Sequence, residues 1–266
     1  SATDPSFRKA WLLHGVNEPQ IEAVGQEAPR EVGHGGRLWS SAATATFEDG
    51  AGRLRVHAVL PPTRDLVVRG GPGWEFWTPG DERGGEWGSG SNWPLDPPEG
   101  GPLPSDPKLQ RMWRTFWGQD FGRLSPSNRR SVVPGAWRLE VSPTSSARDD
   151  RFLHVLEIGD RGARPLRVER VYGHHLAGAV VEGHGGALFV STADPLTEAE
   201  ATLPDVASPI VLLVGLRPDA AYEVQMTSNF APGSPVARLT LRTSDAGVAR
   251  LDLGDRRNVR LRLRLM

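Results

Sequence analysis

The sequence has no cysteine, only two tyrosines, and only two lysines, Lys9 and Lys108, among its 31 basic residues. Without cysteine there is no disulfide, no thiolate ligand and no thiol nucleophile, so any metal must rest on nitrogen and oxygen. Excess charge of one sign is lacking too: 31 Lys and Arg stand against 32 Asp and Glu, a net charge of -1. A chain so balanced carries no broad cationic field, which argues against general binding to nucleic acid or anionic membranes. No apolar run approaches the roughly 18 residues that span a membrane as a helix. The start, Ser1-Ala2-Thr3-Asp4-Pro5, lacks the basic-then-apolar order of a signal peptide. Nucleotide and hydrolase signatures are missing as well, since no Walker loop, no Gly-x-Gly-x-x-Gly between a strand and a helix, no Gly-x-Ser-x-Gly elbow and no His-Glu-x-x-His occurs. With seven histidines and two tyrosines the acid–base groups are few, which argues against self-contained catalysis.

Glycine and proline are plentiful, 31 and 23 of 266 residues, about a fifth against an average near 12%. So many breakers leave little room for long helices. Twelve short segments alternate or run apolar between turn signals: 10–14, 42–48, 54–60, 136–142, 151–158, 166–172, 186–192, 210–214, 222–227, 236–242, 247–253 and 258–265. They predict an all-β protein, a layered antiparallel β-sandwich. The strict alternation of Trp137-Arg138-Leu139-Glu140-Val141 suits a sheet with one wet face. Phe152-Leu153-His154-Val155-Leu156-Glu157-Ile158 is almost wholly apolar and reads as a central strand. In Val259-Arg260-Leu261-Arg262-Leu263-Arg264-Leu265 the arginines should lie on solvent. One domain over residues 1–266 is expected, with a main sandwich over 1–200 and a small β subdomain over 201–266 as the alternative division.

Residues 70–130 break the pattern. They are rich in Gly and Pro and hold six of the nine tryptophans, Trp74, Trp77, Trp87, Trp93, Trp113 and Trp117. Disordered linkers are poor in aromatics, so an ordered excursion is expected, with a helical turn near 108–117. Tryptophan rings can stack on sugar faces while neighbouring polar groups bind hydroxyls, and Arg111 and Arg114 beside Trp113 and Trp117 would suit an acidic sugar. The alternative is that the rings only pin the loop. Among the histidines, His174-His175 and His184 could supply imidazoles from neighbouring strands, although adjacent strand residues point to opposite faces. His14 ends the run Trp11-Leu12-Leu13-His14 and is expected to be partly buried.

Four segments taken together resemble the C-terminal β-sandwich of heparinase II/III-like polysaccharide lyases: Lys9-Ala10-Trp11-Leu12-Leu13-His14 with Asn17-Glu18-Pro19; His57-Ala58-Val59-Leu60-Pro61 leading to Gly70-Gly71-Pro72-Gly73-Trp74-Glu75-Phe76-Trp77; Gly135-Ala136-Trp137-Arg138-Leu139-Glu140-Val141-Ser142-Pro143; and Phe152-Leu153-His154-Val155-Leu156-Glu157. The tail, with Gly215-Leu216-Arg217-Pro218 and Thr243-Ser244-Asp245-Ala246-Gly247, fits as well. The resemblance implies a super-sandwich that follows an α/α toroid, action on uronic-acid polysaccharides by β-elimination, and a periplasmic or secreted location. It also implies that the toroid, the first sandwich strands and the Tyr/His elimination set lie outside these 266 residues. An unpaired sheet edge with exposed apolar residues should then remain, or be covered by a second chain. The chain would bind acidic polysaccharide and act as a scaffold beside an upstream toroid domain or partner chain, without catalysing alone. His14 matches a histidine that in some members completes a structural zinc site with a His and an Asp from the missing part, so no cofactor is expected on this chain alone. Two other readings stay open: a free-standing carbohydrate-binding or cell-surface interaction protein, and a complete enzyme using His174, His175 or His184 with a metal.

The two roles of the tryptophans predict opposite results for alanine variants. An exposed ring replaced by Ala should cost about 1–3 kcal/mol of glycan affinity with Tm unchanged, whereas a pinning ring should cost about 3–5 kcal/mol of stability. Calorimetric binding and thermal melting of the six variants separate them.

Overall fold

The structure is a computed structural model that describes residues 9–23, 25, 27–33, 35–71, 74, 136–145, 147–182, 186–192, 196–205, 210–228, 235–254 and 256–266. No α-helix occurs among them, and the fold is all-β as the sequence predicts. The first nine strands are β1 (Trp11–Gly15), β2 (Gln20–Glu22), β3 (Arg30–Val32), β4 (Gly36–Trp39), β5 (Thr44–Asp49), β6 (Gly52–Leu60), β7 (Arg64–Gly70), β8 (Trp137–Pro143) and β9 (Leu153–Asp160). They form sheet I, in the order β1-β8-β7-β4-β3, and sheet II, in the order β2-β5-β6-β9. The next nine are β10 (Val168–Tyr172), β11 (Leu176–Val181), β12 (Gly186–Ser191), β13 (Glu198–Thr202), β14 (Ile210–Val214), β15 (Ala221–Ser228), β16 (Pro235–Arg242), β17 (Ala249–Asp252) and β18 (Val259–Leu265). They form sheet III, β10-β11-β12-β14-β17, and sheet IV, β13-β18-β15-β16. The sheets thus change over between β9 and β10, while residue 200 falls inside β13.

Three apolar layers order the four sheets. Trp39, Ala45, Phe47, Val56, Leu66, Val68, Leu139 and Val141 fill the space between I and II. Phe189, Leu213, Tyr222, Val224, Met226, Leu261 and Leu263 fill the space between III and IV. Val59 and Leu60 of sheet II meet Ala177 and Ala179 of sheet III in a thinner middle layer. The stack therefore runs I, II, III, IV. Period-two alternation sends Val56 and Ala58 toward sheet I, and an irregularity between Ala58 and Leu60 lets Val59 and Leu60 both turn to the middle layer. Polar groups fasten that layer: Arg170 of β10 donates to the carbonyls of Ala58 (3.0 Å) and Ala43 (2.9 Å), and the Tyr172 hydroxyl donates to Val59 O (2.7 Å).

Four expectations are corrected. The sheets are not wholly antiparallel, because β12 and β14 run parallel; the chain leaves sheet III for β13 and re-enters it, a crossover that permits the same direction twice. Arg138 and Glu140 do not face water but are buried, at 6% and 7% exposure, which their pairing with each other and with Arg69 makes tolerable by matching the charges. The segment read as a central strand, β9, is an edge strand of sheet II, and its Leu156 and Ile158 are exposed at 49% and 84%. His14 lies beside Leu12 on the outer face of sheet I, more exposed than the sequence predicts although one side of it is dehydrated against the sheet. The carboxy-terminal strand behaves as its alternation predicts, with Val259, Leu261 and Leu263 buried and the three arginines outside. The helical turn expected near 108–117 lies outside the described residues.

His154 on β9 stacks on the Trp11 ring at 4.0 Å, and neither of its nitrogens has a hydrogen-bond partner. Burial, with a smaller push from Arg64, lowers its pKa to about 4. The unfolded chain takes up this proton near pH 6.5 and the folded chain only near 4, so stability is full above 6.5 and falls as pH drops toward 4. The loss attributable to this group should reach about 2–3 kcal/mol, allowing for a partly open site. Urea unfolding at pH 7, 5.5 and 4 should show a steeper decline for the native chain than for His154→Phe.

Candidate functional site

The outer face of sheet I carries a dense polar arrangement. Register fixes it. His14 of β1 stands opposite Arg138 of β8, Arg138 opposite Arg69 of β7, and Arg69 opposite Gly36 of β4, so one row crosses four strands. The next row is Leu12, Glu140, Val67 and Leu38, and a third pairs Asp65 with Ser142. Two guanidinium groups facing each other repel, and Glu140 on the diagonal resolves this: its Oε1 accepts from Arg138 Nε at 2.9 Å and from Arg69 Nε at 3.3 Å. Arg69 also donates to the Gly33 carbonyl. A Cβ at position 36 would sit 2.8 Å from Arg69 Nη1, so the glycine is what gives the guanidinium its room.

Beside these rows lies a cavity of about 330 Å³, lined by Val32, Leu38 and Val67 together with Lys9, Asp65, Arg69, Ser142, Thr144 and Asp150. Lys9 closes one side, its ammonium donating to Ala147 O (2.6 Å), Arg148 O (2.7 Å) and Asp150 Oδ2 (2.7 Å). All three of its protons are used. Among the described residues Asp65 accepts one long bond, 3.4 Å, from Ser40 Oγ, which leaves carboxylate lone pairs for further donors. An aliphatic floor with both donors and acceptors around it suits a small polyhydroxylated ring, whose apolar face and hydroxyl edge it matches.

His14 sits at the end of the first row. Loss of part of its hydration against the sheet, then the Arg138 guanidinium, hold its pKa below the usual histidine value, against a smaller opposing pull from Glu140. Among the described residues no three His, Asp or Glu side chains come together to hold a metal. The Arg138 guanidinium opposite the imidazole adds positive charge beside His14. Trp74 is the described member of the tryptophan set: its backbone N–H donates to Gly71 O at 2.9 Å, its indole packs where a Cβ on Gly35 would clash, and it is 36% exposed. Trp77, Trp87, Trp93, Arg111, Trp113, Arg114 and Trp117 lie outside the described residues. His174 and His175 stand with rings 3.8 Å apart at the turn into β11, where His174 bridges to Glu200 of β13; His184 lies outside the described residues.

Sequence reasoning missed a second polar cluster, Arg53, His57 and Glu157, in the layer between sheets II and III. Arg53 Nη2 donates to Glu157 Oε1 at 2.8 Å, and His57 Nε2 lies 3.5 Å from Glu157 Oε2, too far for a well-formed bond. Burial is the main cause of a lowered His57 pKa, partly offset by Glu157. Only the positions of Arg53, Arg55 and His57 on one face of an alternating strand signalled it.

No family model matches the chain, and no curated protein matches it by sequence. No helix among the described residues is long and apolar enough to cross a membrane.

Glu140→Gln tests the charge row. It removes the carboxylate that two buried, facing guanidinium groups share, so unfolding free energy should drop by about 3–5 kcal/mol. Glu31→Gln, on the exposed edge strand β3, should change it by less than about 0.5 kcal/mol. Denaturant midpoints of the two variants give the comparison.

Proposed function

We propose that this chain is a non-catalytic β-sandwich module of a polysaccharide-degrading protein, resembling the heparinase II/III-like lyases, and that it binds acidic polysaccharide along the outer face of sheet I. The observation that carries the reading is the cavity beside the charged rows, where aliphatic side chains form a floor and Asp65, Ser142 and Thr144 form a hydroxyl-binding rim. Charges around it are balanced among the described residues, Lys9 and Arg69 against Asp65 and Asp150, so the cavity itself selects hydroxyls more than carboxylates. Recognition of the uronate falls, in this reading, to Arg111 and Arg114. The layered all-β architecture and the sequence resemblance support a scaffolding role, and the absence of a recognisable Tyr/His elimination set in the sequence supports dependence on a toroid or partner chain for chemistry.

Two measurements test it. Calorimetric titration with heparan sulfate and alginate oligosaccharides should show binding that Asp65→Ala weakens about tenfold, the cost of about one charge-assisted hydrogen bond, with Tm unchanged. Incubation of the chain alone with the same polymers should give no rise in absorbance from unsaturated product. Binding that ignores Asp65→Ala removes the cavity from the reading, and steady turnover by the chain alone overturns the non-catalytic part.

A further inference from the structure

A second surface lies on the opposite side of sheet II, remote from the glycan cavity and independent of it. Sheet II stops short. Its last strand, β9, packs over β11 and β12 through Leu153 and Val155 against Ala177, Ala179 and Val190, while sheet III continues past β12 with β14 and β17. The uncovered step is an apolar groove of about 440 Å³, with Val155 and Ile158 of β9 on one side and Leu188, Ile210 and Leu212 of sheet III on the other. Leu212 is 41% exposed there, next to Leu156 and Ile158. The outer edge of β9 pairs with no strand among the described residues.

We propose that this edge receives one extended segment of a protein partner as a fifth strand of sheet II. A strand added at the usual spacing of about 4.8 Å falls above β14 and covers Leu212. Sheet edges are normally guarded by lysine, proline or an inward charge. β9 carries no lysine or proline over its eight residues, and its one inward charge, Glu157, is already neutralised by Arg53 and bonded by Leu166 N–H. Apolar residues on both faces of an edge strand fit a place between two neighbours. A second copy of β9 does not fit that place: edge-to-edge pairing with both third sheets on one side would drive each copy's β14 and β17 into the other's.

Charge defines the flank of the segment. The loop after β9 carries Arg161, Arg164 and Arg167 against Asp160, and it is held beside the groove by Arg53 Nη1 donating to Ala163 O at 2.8 Å. Arg161 and Arg167 are engaged with Glu48 and Glu169; Arg164 makes no ion pair among the described residues. The partner segment is therefore alternately apolar with carboxylates at the end that passes this loop.

The probes are two fluorescein-labelled decapeptides, Asp-Glu-Val-Thr-Ile-Thr-Val-Thr-Ile-Thr and the same residues in reverse order, titrated with the full chain by fluorescence anisotropy. One of them should bind saturably. Ile158→Lys and Leu212→Asp should each weaken it about tenfold or more, while Leu12→Lys, on the far face of sheet I, should leave it within about twofold. N-methylation of alternate peptide amides should abolish binding on one edge register, which simple apolar adhesion would not do, and replacing the two acids by lysine should weaken it. No saturable binding by either peptide, or binding indifferent to Ile158→Lys or to N-methylation, overturns the proposal. So does dimerisation of the chain in sedimentation that Ile158→Lys abolishes, since the edge would then belong to a second copy. Ile158 and Leu212 are exposed, and matching near-UV spectra confirm that the variants fold.

Discussion

Stacking four sheets obliges the two inner ones to bury both faces wherever they overlap, and a side chain in that overlap finds no water on either side. Sheet II meets this constraint with an apolar face toward sheet I and a mixed face toward sheet III, where several polar groups are matched to one another while His57 Nε2 and Glu157 Oε2 find no hydrogen-bond partner among the described residues. Arg170 is taken up by carbonyls of β6 and of the connection that precedes β5, Arg53 by Glu157 and Ala163 O, Tyr172 by Val59 O. The middle layer is thin in apolar volume, with Ala177 and Ala179 opposite Val59 and Leu60, so these polar ties decide the angle at which the two sandwiches meet. The outer sheets depend on that angle, since only a fixed sheet II lets sheet I present its rows on one side and leaves the step beside β9 on the other.

The two sandwiches occupy consecutive halves of the chain, β1–β9 and β10–β18. Few elements link them: the middle layer, the Arg170 and Tyr172 bonds, and the loop from 161 to 167. The cavity on the outer face of sheet I and the β9 groove lie on different sides of this arrangement. Neither draws its main residues from sheet IV, whose outer face carries the arginines of β18 against the glutamates of β13 and β15.

Much of the fold is legible in the sequence because burial imposes period two. The run 259–265 alternates without a break and lies as its pattern says. Six strands escape such a pattern, each for a physical reason. β13, Glu-Ala-Glu-Ala-Thr, is built of residues that favour helices, and only Ala199 and Ala201 packing under β18 make it a strand. β11, Leu-Ala-Gly-Ala-Val-Val, contains a glycine that looks like a breaker, yet a Cβ at Gly178 would lie 2.0 Å from Leu188 O, so the close approach of β12 demands it. β7 opens with Arg64 and nearly closes with Arg69, both buried, and buried charge defeats a hydropathy pattern. The short β2, β3 and β4 carry too few residues to show a period. The site is less legible than the fold. Its cavity joins Lys9 to Asp150 and Asp65 to Ser142, and such neighbours are set by strand register, which a hydropathy pattern does not encode. The edge position of β9 is hidden for a related reason: its composition describes a strand with two neighbours, and the structure supplies one.

The long excursion leaves and returns at one point. β7 and β8 are direct neighbours, Gly70 pairs with Trp137, and Gly71 N–H donates to Ala136 O, so the chain from 72 to 135 is clasped at its neck by an ordinary sheet ladder. A clasp of this kind separates the inheritance of the loop from that of the sandwich. Closing a loop costs only about 0.6 kcal/mol more for each doubling of its length, so this segment can lengthen, shorten or be exchanged wholesale while the ladder beneath it keeps the same register. The ladder between β7 and β8 thus keeps one register whatever length of chain runs between its two ends.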